Sequence, residues 1–334
     1  MESILIYRLG SIGDTVIALP CFHQIARSFP DARRIVLTNR PISSRAAPLD
    51  SVLENSGLIH GTINYDVGER RLSSLVNLSA EMRAHDVTTL IYLTEPRGRI
   101  RLARDLLFFR SCGIRKVIGA PSSGDSYHLR HDPTTGWVER EAERLSRCLQ
   151  ELGPVDLTNS GAWDLKLTRY EIEDAGTALS SLKGLEFAAV NIGGKVVRKD
   201  WGDDNWIACL RLLSSKMPHL ALAFFGATDE RNRNAVLANH WPGAAVNLCG
   251  RLTPRQSASA MKFARIFLGH DSGPMHLAAS VGTPCVALFG NYNQPKKWHP
   301  FGVQHRILHN TAGIRAIRPE DVVAAVCGVL EEDF

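Results

Sequence analysis

Short apolar runs alternate along this chain with stretches in which apolar residues recur every three or four positions. That is the pattern of strands buried on both faces alternating with amphipathic helices. In the first half, residues 4–7 predict a strand, 15–28 a helix and 34–38 a second strand. A helix over 72–83, a strand over 88–93, a helix over 100–109 and a strand over 116–119 follow. Residues 121–135 turn to Ser, Gly, His, Asp and Pro and read as a long loop, either facing a cleft or merely connecting. A helix over 138–152 and a turn-rich stretch over 153–167 close that half, and a helix over 170–182 follows the expected boundary near Thr168.

The alternation then restarts. Strands are expected at 186–192, 220–225, 244–247, 266–268, 285–289 and 305–309, with helices between them and a last helix over 319–330. Strands alternating with helices in this way make parallel sheets covered on both faces. The expected fold is therefore α/β, with two Rossmann-like doubly wound domains facing a central cleft, residues 1–167 and 168–334. The last helix is free to pack back on the first domain.

The densest stretch is IFLGHDSGPMHLAASVGTPCVALFG, residues 266–290, which reads as strand, tight turn, helix, turn and strand. Pro274 suits a first helical turn, and Gly282 with Pro284 suits a helix end. A turn opening into a helix leaves free N–H groups and a positive dipole end, so Ser272 and Gly273 are a candidate diphosphate seat. A capped core helix with no ligand accounts for the same local pattern. The turn RLGSIGD, residues 8–14, is a second strand-to-helix junction. It carries G-x-x-G and not G-x-G-x-x-G, which weighs against a nicotinamide-dependent dehydrogenase.

Composition narrows the classes. The 334 residues are 44% hydrophobic and 22% charged, as in a globular protein, and the net charge is a mild +5. That charge suits an anionic ligand or an acidic membrane surface, and no dense Lys/Arg run points to nucleic acid. Seven scattered cysteines without C-x-x-C spacing read as reduced thiols of a cytoplasmic protein, with no zinc site. Neither a signal peptide nor a membrane span is expected.

Three stretches together resemble glycosyltransferase family nine, the heptosyltransferase family. RLGSIGDTVIALP matches its R-L-G-x-x-G-D opening, KDWGDDNW its K-x-W segment, and GHDSGPMHLAASVGTPCVALFG its D-[ST]-G-x-x-H-L-A-A motif. The segment from Asn247 to Thr253 also fits. The resemblance implies a GT-B architecture and inverting, metal-independent transfer of a sugar, heptose or a related one, from a nucleotide diphosphate such as ADP-heptose. The implied acceptor is a glycan or lipid-linked glycan, lipopolysaccharide core or another surface or secondary-metabolite glycoside. Such an acceptor would bring the protein to the inner face of the membrane as a peripheral visitor. No cofactor and no metal are implied.

An inverting displacement needs a base at the acceptor hydroxyl and positive charge where the diphosphate leaves. Asp14 is the expected base, set at the mouth of the first domain by Gly10 and Gly13. Lys199 is the expected diphosphate partner, with Lys195 and, more weakly, Arg198 beside it. Asp271 orders the loop, binds Lys199 or accepts a ribose hydroxyl, and His276 reaches toward the phosphates. Arg8, Gly13, Arg97 and Arg99 are candidates for the acceptor side, with Arg101 close by. Asp203-Asp204 lacks the D-x-D spacing of metal-dependent transferases.

The chain departs from the family pattern at Gly290-Asn291-Tyr292-Asn293-Gln294-Pro295, at Gly202 after Trp201, and at Gly193-Gly194-Lys195. These loops are where donor identity is expected to be set. A nucleotide-sugar epimerase of similar build and a non-catalytic nucleotide-sugar sensor remain rival readings of the same residues.

Overall fold

The computed structural model describes residues 2–41, 47–68, 71–121, 128–194 and 196–332. The chain separates into two compact units, Met1–Lys166 and Leu167–Phe334.

In the first unit, strands β1 (Ser3–Tyr7), β2 (Arg33–Asn39), β3 (Gly61–Tyr65), β4 (Val87–Tyr92) and β5 (Lys116–Ile118) form a sheet of order β3-β2-β1-β4-β5. All its pairings are parallel, with Tyr7 opposite both Leu37 and Tyr92. Leu5, Tyr7, Leu90 and Tyr92 present one face of the sheet to Leu78 and Met82 of α4 (Leu72–Ala84) and to Leu102 and Phe109 of α5 (Arg99–Ser111).

Three local expectations change here. The helix foreseen at 15–28 starts earlier and is broken into α1 (Ile12–Ile17) and α2 (Leu19–Ser28), joined at Ala18. Pro20 stands in the first turn of α2, where its missing N–H is harmless, whereas in a continuous helix its ring would meet the carbonyl one turn back. Strand β3 and the short helix α3 (Asp50–Leu53) went unseen. Only Ile63 of β3 is buried, so this edge strand has no apolar run to reveal it. The helix foreseen at 138–152 reduces to α6 (Glu141–Cys148) and a 3-10 turn, with Val138 instead bridging His131. Of the loop at 121–135, residues 122–127 lie outside the described residues.

The second unit opens with α7 (Arg169–Ala178), which Thr168 caps through its side chain. Its sheet has the order β11-β10-β9-β6-β7-β8, all parallel: β6 (Phe187–Asn191), β7 (Ala221–Phe224), β8 (Ala245–Asn247), β9 (Ile266–His270), β10 (Cys285–Phe289) and β11 (Arg306–His309). Every residue of β6, β9 and β10 is buried. Helices α8 (Asp203–Lys216), α9 (Arg231–Ala238), α10 (Pro254–Met261), α11 (Gly273–Ser280) and α12 (Pro319–Glu331) complete the unit. The last helix lies on α8, β9, β10 and β11 of its own unit, and Val322, Val326 and Val329 are buried in the same cluster as Leu210 and Leu213. Among the described residues no helix is long and apolar enough to cross a membrane.

Each sheet has one place where the strand order reverses: between β1 and β4 in the first, between β6 and β9 in the second. Outside the carboxyl ends of such a pair the flanking loops diverge and leave a crevice, the usual ligand position in open α/β sheets.

Candidate functional site

At the first reversal, β1 runs into Arg8-Leu9-Gly10 and α1. Gly10 has φ +134, and a methyl group there would overlap the Asp14 side chain, so both backbone and space demand glycine. Asp14 occupies the third position of α1, and its Oδ2 accepts from the Ser11 N–H at 2.8 Å. Gly13 and Asp14 are therefore helical, not part of the preceding turn. The carboxylate is half-buried and held over the start of its own helix.

Arg8 does not stand where an acceptor could meet it. It is 1% exposed, with its guanidinium bonded to Leu93 O at 2.8 Å and Asp14 O at 2.6 Å and lying 3.8 Å from Glu141. The expectation of direct acceptor contact is corrected to a positioning role: Arg8 ties the end of β1 to the residue after β4 and fixes the backbone of Asp14. Arg97 is mostly committed as well, to the Tyr7 hydroxyl at 2.7 Å and Asp105 Oδ2 at 3.0 Å. Arg99 begins α5 and is exposed.

Around Arg97 lies a cluster that residue patterns did not suggest. Tyr7, Tyr65 and Tyr92 each end a strand, the Tyr7 and Tyr65 hydroxyls are 2.7 Å apart, and Tyr92 donates to Asp105 at 3.2 Å. Burial raises all three phenols, Tyr92 to about 12, so they remain neutral hydrogen-bonding groups. Three tyrosines at strand ends were visible in the sequence; that the strand order gathers them was not.

At the second reversal, Asn191 ends β6 and its Oδ1 accepts from the Ser272 hydroxyl at 2.9 Å, across the gap to β9. The same hydroxyl lies 3.2 Å from His270 O. Ser272 is the N-cap residue of α11, yet its side chain makes no cap bond to the helix. The first N–H groups of α11 are thus left without a side-chain cap, and Gly273 at the first helical position puts no side chain over them.

Lys199 stands beside this opening. Its Nζ is 2.7 Å from Asp271 Oδ2, 3.4 Å from Asp271 O and 4.9 Å from the centroid of the Tyr292 ring. Asn293 also donates to Asp271 Oδ2. Two residues on, Trp201 is fully buried, packs edge-on against Trp206 at 5.0 Å and bonds Ile317 O through Nε1 at 2.9 Å. This anchor holds the loop so that Lys199 emerges on the side of Asp271. The Trp201 N–H also donates to His270 Nε2 at 3.3 Å. Burial, against the pull of Asp200, lowers His270 to about 4, which keeps that nitrogen a free acceptor at neutral pH. His276 is likewise buried and lowered to about 4 by desolvation, so it brings no positive charge to the start of α11 at neutral pH. Lys195 lies outside the described residues.

Two further acids line this end of the sheet. Glu230 accepts from the Ala227 N–H at 2.8 Å and fills the space a side chain at Gly193 or Gly226 would need. Asp200 pairs with Arg233 at 2.8 Å; burial alone would raise its carboxyl, and the Arg233 hydrogen bond holds it below the usual range. Both were missed, because each depends on strand neighbours that spacing does not reveal.

Residues 124–319, more than half of the sequence, match the model of glycosyltransferase family 9 (heptosyltransferase). The chain belongs to that family. This glycosyltransferase is 23% identical over 349 aligned positions to lipopolysaccharide heptosyltransferase 3 of Escherichia coli strain K12, covering 96% of each chain. Among solved structures it resembles the family 9 glycosyl transferase of Veillonella parvula DSM 2008, with TM-score 0.75 and 20% identity over 99% of this chain and 98% of that one. It also resembles E. coli heptosyltransferase WaaC with ADP, with TM-score 0.68 and 16% identity over 98% and 100%. At these identities the structures establish a shared GT-B-type fold of two parallel-sheet α/β domains, and the family match establishes the enzyme class.

Proposed function

We propose that this enzyme transfers a heptose, or a closely related sugar, from an ADP-linked donor to a lipopolysaccharide-core type acceptor, with inversion and without a metal. The second unit binds the donor, and the first unit binds the acceptor and carries the base. The observation that carries this reading is the uncapped start of α11 with the Lys199 ammonium beside it, an anion seat built from backbone dipoles and one cation. The relatives' names favour heptose and lipopolysaccharide, and the ADP in the WaaC structure favours adenine as the base.

In the reaction, the acceptor oxygen forms a bond to the anomeric carbon as the bond to the diphosphate oxygen breaks on the opposite face. The acceptor proton passes to the Asp14 carboxylate. The charge left on the diphosphate is met by Lys199 and the N–H groups at Ser272 and Gly273, which supply the stabilisation a metal would otherwise give. Asp271 holds Lys199 in position, and neutral His276, one turn inside the helix, serves as a hydrogen-bond partner and not as a counter-charge.

Asp14→Asn provides the test, because the amide oxygen still accepts from Ser11 while the base is lost. Transfer from ADP-heptose to core acceptor should fall by roughly a thousandfold, with the donor-induced rise in melting temperature retained. Undiminished transfer by the variant would remove Asp14 from the mechanism. Donor turnover by wild-type protein in the absence of acceptor would point to an epimerase instead.

A further inference from the structure

Asn293 stands in the loop that follows β10, within residues 290–295, where the sequence leaves the family pattern. Its orientation is fixed by what it touches. A carboxylate can only accept hydrogen bonds, so the amide nitrogen must be the atom that faces Asp271 Oδ2, and the side chain has no freedom to flip. Among the described residues the second amide N–H and the Oδ1 of Asn293 have no partner, nor has Asp271 Oδ1. Lys199 bonds to the same Asp271 oxygen at 2.7 Å. Ammonium and amide are therefore about 5 Å apart at most, two hydrogen bonds end to end. The half-buried amide thus presents one free donor and one free acceptor beside the cation that meets the diphosphate in the reading proposed above.

A diphosphate at the start of α11 carries two substituents, the nucleoside and the sugar to be transferred. On the side of β6 and β7, Gly193, Gly194 and Gly226 bear no side chain, and a Cβ at Gly194 would meet nothing within 4 Å, which leaves that side to the bulkier nucleoside. Strand β10 lies on the other side of β9, and there the amide of Asn293 comes within one sugar ring of Lys199. Sugar hydroxyls both donate and accept, so a fixed amide with one group of each kind free matches a pair of neighbouring hydroxyls. A nucleobase is set a whole ribose farther from the phosphates. We propose that Asn293 reads the hydroxyls of the sugar being transferred and so selects the donor by its glycosyl group. The inference rests on the anion seat proposed above and adds to it the residue that tells one ADP-sugar from another.

The experiment is calorimetric titration of the full chain, without acceptor, with ADP and with ADP-heptose. Wild-type protein should bind ADP-heptose more tightly than ADP. Asn293→Ala and the nearly isosteric Asn293→Leu should each weaken ADP-heptose roughly tenfold, the scale of one or two neutral hydrogen bonds, and leave ADP within about twofold. Both variants should melt within about 2 °C of wild type, because this loop side chain supports no core. Equal losses for the two ligands would reduce Asn293 to a brace for Asp271 and Lys199 and overturn the proposal. Wild-type affinity for ADP-heptose in both variants, or wild-type protein that binds ADP as tightly as ADP-heptose, would overturn it while leaving the seat in place. Wild-type protein that binds neither ligand would remove the seat and the proposal together.

Discussion

The two strand-to-helix junctions at the sheet reversals share a topology and differ in how the helix start is treated. At α1 the third helical residue is Asp14, whose carboxylate folds back onto the Ser11 N–H and closes the end with negative charge. At α11 the equivalent position is buried Met275, and Ser272, which could have capped the helix, turns to Asn191 instead. One junction displays an acid and the other displays donors. A single architectural device, a strand-to-helix junction at the carboxyl end of a central strand, carries opposite electrostatic signs, which are what the proposed proton acceptor and anion seat require.

The contrast can be broken most severely at Lys199. Lys199→Gln should lower kcat by roughly a hundredfold to a thousandfold, the scale of losing one preorganised charge at a leaving group. Single-turnover assays would measure it, and a loss of only a few-fold would leave the helix start as the sole anion device. Next comes acid sensitivity, which should set the second junction apart from the first. His270 and His276 are held near 4 in the folded protein against about 6.5 when unfolded. As pH falls the unfolded chain takes up these protons first, so stability that is complete above about 6.5 drains away toward 4, by roughly 3 kcal/mol for each histidine. Denaturant titrations across that window should show the slope, and hydrogen exchange should show β9 and α11 losing protection early. The tyrosines at the first junction stay neutral throughout and contribute no such slope. The smallest effect is expected at Tyr292. Tyr292→Leu removes the ring beneath Lys199 and should raise the donor KM about three- to fivefold, with Tyr292→Phe restoring it.

The alternation of strand and helix was legible because central parallel strands are apolar on both faces, whereas Asp14, Lys199 and Asp271 were singled out as candidates by the family resemblance and Ser272 by its place at a helix start. Strand order was not legible. Without it, nothing in the sequence says that Asn191 reaches Ser272, that Tyr7 meets Tyr65 and Arg97, or that Glu230 fills the space beside Gly193 and Gly226. Arg8 shows the limit from the other direction. A charged residue inside a functional motif was read as a ligand contact, whereas its burial and three internal partners make it part of the frame. The break at Ala18 was there to be read in Pro20, but the apolar periodicity running through it hid the interruption.

The burial of Arg8 has a bearing on how inactive variants of this enzyme would be interpreted. Its guanidinium is buried with Glu141, which Arg144 also pairs, and removing one charge from such a buried paired set typically costs about 3–5 kcal/mol. The same group steadies the main chain of Asp14 at 2.6 Å. A mutational screen would therefore rank position 8 alongside position 14, and a reader of that screen would assign it to substrate recognition. The phenotype would be genuine and the assignment mistaken if, as proposed, Asp14 is the base, since the lesion would then lie in the mounting of that carboxylate.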